Sequence, residues 1–141
     1  MNRPGLSLPV DQALLAPRTG NARALLNEML GLLDKLAAGG EGGSIDLRCV
    51  PLSPGDWEEL REVLGTGAVD ARVDALGESR AQETRFPGIW WVTHRNEPGE
   101  TVAELIEVCS VPTILRAPRD DVADGAVLLR QALDDLVERR S

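Results

Sequence analysis

The sequence predicts an α+β two-layer sandwich, a mostly antiparallel sheet of about five strands with helices packed mainly on one face. Three observations predict it. One segment repeats its apolar residues at helical spacing. Further on, the period changes to two and stays there through a series of short segments with brief connections. Only three helical segments accompany those strands, too few for a doubly wound sheet covered on both sides.

The elements follow in order. Residues 1–19 contain Pro4, Pro9 and Pro17 and read as a flexible arm, with Leu14 and Leu15 laid on a surface. Residues 20–141 read as one domain, which suits a chain of 141 residues. Ala22, Leu25, Leu26, Met29, Leu32, Leu33 and Leu36 mark the first helix, capped by Thr19 or Asn21 and stopped by Gly39-Gly40. The glycine-rich loop that follows leaves a helix and enters a strand. A phosphate cradle needs the reverse order, so nucleotide binding is not indicated.

Ser44 to Val50 alternates Ile45, Leu47 and Cys49 against Asp46 and Arg48, the pattern of a strand with one apolar face. Ser53-Pro54-Gly55-Asp56 starts a second helix, with a serine cap, proline at the first helical position and an acid in the first turn. Trp57, Leu60, Val63 and Leu64 form its stripe, and Gly65-Thr66-Gly67 ends it. Four strands follow: Val69 to Ala75, the more polar Ser79 to Phe86, Ile89 to Arg95 and Thr101 to Val108, divided by Gly77, Pro87-Gly88 and Asn96 to Glu100. A crossover with Pro112 and Pro118 leads to a last helix opened by Asp120 or Asp121. Its stripe is Val122, Ala126, Leu129, Leu133 and Leu136.

Composition narrows the function classes. A net charge of −8 repels phosphate backbones, so nucleic acid is not an expected partner; the field favours a basic protein or peptide, but first reads as a surface that keeps the protein soluble. No run reaches the roughly 20 apolar residues of a membrane span. The first ten residues lack the apolar core of a secretory signal, and two separated cysteines make no disulfide framework. These features predict a protein of the reducing cytoplasm.

Catalytic sets are scarce. His94 is the one histidine, so neither a serine triad without it nor a multi-histidine metal site can be built. Cys49, Cys109 and His94 form a weak alternative set for a metal or an iron–sulfur intermediate, as a carrier or enzyme, if the fold brings them together. Otherwise the thiols read as small buried hydrophobes, and no cofactor is expected. Glu104 and Glu107 lie on opposite faces of the last strand; whichever meets apolar neighbours needs an arginine, for which Arg85 and Arg95 are candidates, or is protonated. Trp90 and Trp91 are adjacent on one strand and must point to opposite faces. One packs under the helices; the other is exposed or meets a partner. With Glu83, Arg85, Phe86, Thr93, His94, Asn96 and Glu107 they form the candidate partner-binding patch, since exposed tryptophan rimmed by arginine is the make-up of a hot spot.

The run Glu83-Thr84-Arg85-Phe86-Pro87-Gly88-Ile89-Trp90-Trp91-Val92-Thr93-His94 resembles the central motif of the HupH/HyaF-type hydrogenase expression/formation proteins. Asn96, Gly99-Glu100, Ile106-Glu107-Val108 and Val111-Pro112-Thr113-Ile114-Leu115 extend the likeness, as do Ile45-Asp46-Leu47, Pro51-Leu52-Ser53 and Asp74-Ala75-Leu76-Gly77. The resemblance implies a C-terminal conserved domain and an accessory, chaperone-like role in nickel–iron uptake hydrogenase maturation. The expected partner is a hydrogenase subunit, the iron–sulfur small-subunit precursor first, whose basic twin-arginine export signal suits an acidic surface. Members of the family are about twice as long, and a homodimer is one way to restore the larger surface.

Overall fold

The computed structural model describes residues 17–140; Leu14, Leu15 and nearly all of the expected arm lie outside them. Helix α1 spans Asn21–Ala37 and helix α2 Pro54–Leu64. The strands are β1 (Gly43–Asp46), β2 (Asp70–Asp74), β3 (Glu78–Glu83), β4 (Ile89–Arg95) and β5 (Thr101–Val108), and helix α3 is Arg119–Arg140. All five strands form one antiparallel sheet in the order β1-β5-β4-β3-β2, so the expected α+β class holds. β2 to β5 make a meander. β1 pairs with β5 and lies at the edge opposite β2, so α2 is the connection between the two edges.

The register assigns every strand residue to a face. Ile45, Ile106, Trp91, Gln82 and Asp70 are aligned across the sheet on the first face. Ile45, Ile89, Ile106 and Val108 there pack with Ala22, Leu25 and Met29 of α1 and Leu60 and Leu64 of α2 into the main core. Beyond β4 this face turns polar: Arg80 and Gln82 of β3, then Asp70 and Arg72 of β2. The second face carries a smaller cluster, Ala81, Trp90 and Val92, covered by Cys109, Ile114 and Leu115. The cover includes a 3₁₀ turn at Thr113–Leu115.

Three local expectations are corrected. The first strand stops at Asp46, whose carboxylate accepts the Arg48 amide at 2.9 Å and caps a 3₁₀ turn at Leu47–Cys49. Leu47 is buried, whereas Cys49 is exposed and not on an apolar strand face. The first helix has Gly20 at its N-cap; Thr19, one residue earlier, accepts the Asn21 amide at 3.2 Å and donates its hydroxyl to Asp56. The last helix begins at Arg119, and none of its residues is buried. Its stripe therefore does not pack on the sheet of its own chain.

The start of α2 matches its sequence signals and adds a tie. Ser53 and Asp56 form a reciprocal capping box with Pro54 at the first helical position. Asp56 is fully buried and accepts from Ser53 N at 3.0 Å, Thr19 N at 2.8 Å and Thr19 Oγ1 at 2.6 Å. Thus one carboxylate fastens the entry to α1 onto the beginning of α2. Close backbone approach explains one glycine: a Cβ on Gly42 would collide with the Val108 carbonyl as β1 joins β5.

Burial pushes the Asp56 carboxyl up, but the Thr19 and Ser53 donors outweigh it and hold it below its ordinary value. A depressed folded value means the stabilisation is complete above the unfolded value of about 3.9. It disappears as pH falls through the folded value. Asp56→Asn should lower stability at pH 7 by roughly 1–2 kcal/mol. Denaturant midpoints measured from pH 7 to pH 3 should show a shallower acid-side loss in the variant than in the parent. Parallel curves would exclude Asp56 as the responsible group.

Candidate functional site

The cleft opens on the first face where α2 ends and the helices stop covering the sheet. Its volume is about 360 Å³, and it is lined by Arg61, Gly65 and Thr66 of α2 and its exit, Arg80 and Gln82 of β3, Trp91, Thr93 and Arg95 of β4, and Glu104 of β5. Helical spacing places Arg61 one turn after Trp57. The Arg61 guanidinium lies 5.7 Å from the Trp57 ring and 5.2 Å from the Trp91 ring, whose centroids are 6.2 Å apart. That is a cation held on two indoles. The Trp91 Nε1–H donates to Glu104 Oε2 at 2.8 Å, which fixes the orientation of the half-buried ring.

The charges in the cleft differ in availability. Arg80 makes a two-pronged pair with Asp70, at 2.8 and 2.6 Å, and those donors hold the Asp70 carboxyl below its usual range. The Arg61 guanidinium has no hydrogen-bond or ion-pair partner among the described residues, and that of Arg95 has one long contact, 3.5 Å to the Gly99 carbonyl. The side chains of Gln82 and Thr93 have none. The cleft thus offers unused N–H and O–H donors beside an aromatic platform.

Arg95 also borders the tip of the β2–β3 hairpin. There Leu76 is 88% exposed and has φ +53°, the left-handed region. A leucine pays about 1–2 kcal/mol for that backbone, and water gains nothing from its side chain.

The family described as "HupH hydrogenase expression protein, C-terminal conserved region" matches residues 19–136. The chain belongs to this family. It is 34% identical over 116 residues to the hydrogenase expression/formation protein HupH of Rhodobacter capsulatus, covering 81% of this chain and 41% of that one. It is 28% identical over 133 residues to the hydrogenase-1 operon protein HyaF of Escherichia coli (strain K12), covering 93% and 46%. The solved structure of the hydrogenase expression protein HupH from Thiobacillus denitrificans ATCC 25259 superposes with a TM-score of 0.79 at 43% identity, over 84% of this chain and 99% of that one. The chain spans less than half the length of these curated relatives.

Within this HupH C-terminal fold the expected binding patch divides between two faces and the sheet ends. Trp91 and Thr93 enter the cleft. Trp90 points to the second face, is 6% exposed and is sealed by residues 109–115; its Nε1–H has no acceptor among the described residues. His94, on that same face, shares a 2.7 Å hydrogen bond with Ser79 Oγ. Glu107 stands opposite Trp90 there. Glu83 accepts the Ala68 amide, and Asn96 closes the β4–β5 turn through Glu100. Arg85 is not on the sheet: its Nε donates to the Val63 carbonyl of α2 at 2.8 Å and its guanidinium covers Phe86, which packs on the main core. Glu104 is satisfied by an indole, so the expected arginine partner for it is not used.

The alternative metal set does not converge. Cys49 follows β1 beside the Thr101 end of β5, where Arg48 bonds the Thr101 carbonyl, and Cys109 follows the other end of β5. Both thiols are pushed up, Cys49 by its hydrogen bond to Asp46 and Cys109 by burial, which disfavours the thiolate that binds metal. Among the described residues no group of three or more His, Cys, Asp or Glu side chains is arranged to hold a metal ion, and no helix is long and apolar enough to cross a membrane.

Sequence reasoning missed Arg61, Arg80, Gln82 and Leu76. The i, i+4 spacing of Trp57 and Arg61 and the alternate polar residues of β3 were signals for the first three; Leu76 entered only within the Asp74-Ala75-Leu76-Gly77 likeness, and no residue pattern marked it as exposed. Acrylamide quenching checks the division of the tryptophans. Trp91→Phe should lower the quenchable fraction of the fluorescence and Trp90→Phe should raise it. The opposite order would reverse the assignment of faces.

Proposed function

We propose that this domain is a non-catalytic accessory protein of nickel–iron hydrogenase maturation that docks a hydrogenase subunit, the iron–sulfur small-subunit precursor first. The relatives' names supply the hydrogenase connection, and the family resemblance supplies the subunit. The observation that carries docking is the Arg61 guanidinium, stacked on Trp57 and Trp91 with its N–H donors unspent. Half-buried tryptophan with arginine is the composition of binding hot spots. The surface continues past Arg95 to Leu76, an exposed apolar knob held at a backbone cost. Such strain is a pointer to function rather than to stability.

Local charge refines the partner. The chain carries −8 overall. Inside the cleft, however, Arg80 is spent on Asp70, and Arg61 and Arg95 face Glu104. The docked segment is therefore one that presents a carboxylate next to an apolar group. A basic twin-arginine leader is attracted by the overall field and is not the segment the cleft takes.

Capture of the co-expressed small-subunit precursor by the intact protein tests this. Arg61→Ala and Trp91→Ala should each weaken capture by roughly 30-fold, the scale of a hot-spot loss. Leu76→Gly should weaken capture at no cost in stability, because glycine accepts a positive φ. Trp90→Phe should leave capture unchanged, and deletion of the leader should cost far less than Arg61→Ala. Capture insensitive to both Arg61→Ala and Trp91→Ala would overturn the docking surface.

A further inference from the structure

Helix α3 is 22 residues long, about 33 Å, and buries none of them. Leu129 and Leu133 are 62% and 54% exposed. A lone helix of this length gains most of its stability by packing an apolar face, so this one is built to be covered. Residues 122, 126, 129, 133 and 136, all Val, Ala or Leu, are spaced alternately four and three apart. That alternation is the a/d seam of a coiled coil, with Ala126 and Leu133 at a and Val122, Leu129 and Leu136 at d. Val127, Leu128 and Val137 are exposed outside that seam.

We infer that α3 pairs antiparallel with α3 of a second copy of this chain. Three features select that occupant and that direction. Asp120 and Asp121 lie in the first turn after Arg119 and Arg139 and Arg140 in the last, so only antiparallel copies set the acidic pair beside the basic one and oppose the helix dipoles. In the register where Leu129 meets Leu133 of the second copy, Ala126 meets Leu136, so small faces large along the seam. Gly125 and Ala132, flanking the seam at g, let the helix axes approach. The contact is the same patch on both copies, which closes a two-fold dimer instead of a filament. This inference does not depend on the docking surface, which lies on other elements.

Sedimentation of the full chain over a range of concentrations should show a reversible dimer. Leu129→Asp with Leu133→Asp should weaken it by roughly 100-fold or more, since two buried leucines per chain are lost. Near-ultraviolet circular dichroism should stay unchanged, because α3 lies outside the core. Direction is read in a background lacking Cys49 and Cys109. Chains carrying Val122→Cys should cross-link to chains carrying Arg140→Cys and not to each other. A monomer at every concentration overturns the inference, whether residues 1–16 or a client helix covers α3. So does a dimer unchanged by the two aspartates. Val122→Cys chains that cross-link to each other overturn the antiparallel direction.

Discussion

The arrangement rests on β1 pairing with β5 rather than with β2. The ladder from Gly43–Val108 to Asp46–Leu105 puts two strands that are neighbours in sequence at opposite edges of the sheet. The chain must then travel between the edges, and α2 makes the journey over the first face. Its stripe enters the main core through Leu60 and Leu64, while the next positions around the helix, Trp57 and Arg61, come to rest against Trp91. The cleft is what remains of that face after α2 ends at Gly65. Asp56 protects the same journey at its start by fastening the helix to the chain segment entering α1.

Much of this is legible in the sequence, where local chemistry and burial agree. Ser53-Pro54-Gly55-Asp56 begins α2 as its cap chemistry demands, and β4 and β5 have the bounds that alternation and the Asn96–Glu100 turn imply. Alternation also separates Trp90 from Trp91. It does not say which face each takes, because that depends on residues 109–115 folding back over the second face, a tertiary event without a local signal. Around Cys49 alternation misleads: Asp46 satisfies the Arg48 amide itself, so the chain turns while the apolar spacing continues. For α3 the spacing identifies the helix and its apolar side, but apolar spacing is silent on whether the covering surface belongs to the same chain.

The two faces also separate stability from recognition. On the second face Trp90 contributes apolar area at the expense of an indole N–H left without an acceptor among the described residues, a cost of about 1–3 kcal/mol. On the first face Trp91 is fully satisfied by Glu104, yet remains half-open and carries an unpaired arginine. The satisfied ring is the one held in position for a partner; the unsatisfied ring is the one used as filling.

Position gives the two proposed contacts a common logic. The segment leading into α3 packs over the second face, through Ile114 and Leu115, whereas the cleft lies on the first. A helix anchored on one side can join two copies without crossing the other side. Pairing through α3 therefore leaves each copy's Trp91 and Arg61 accessible, and a dimer presents two clefts where a single chain presents one. A client with one matching segment would gain only statistical advantage from that duplication. A client engaging both clefts would gain effective concentration, provided its segments span the distance that two antiparallel helices impose. The length and rigidity of α3 then act as a spacing element, which gives a physical reason for a helix that adds nothing to the core of its own domain.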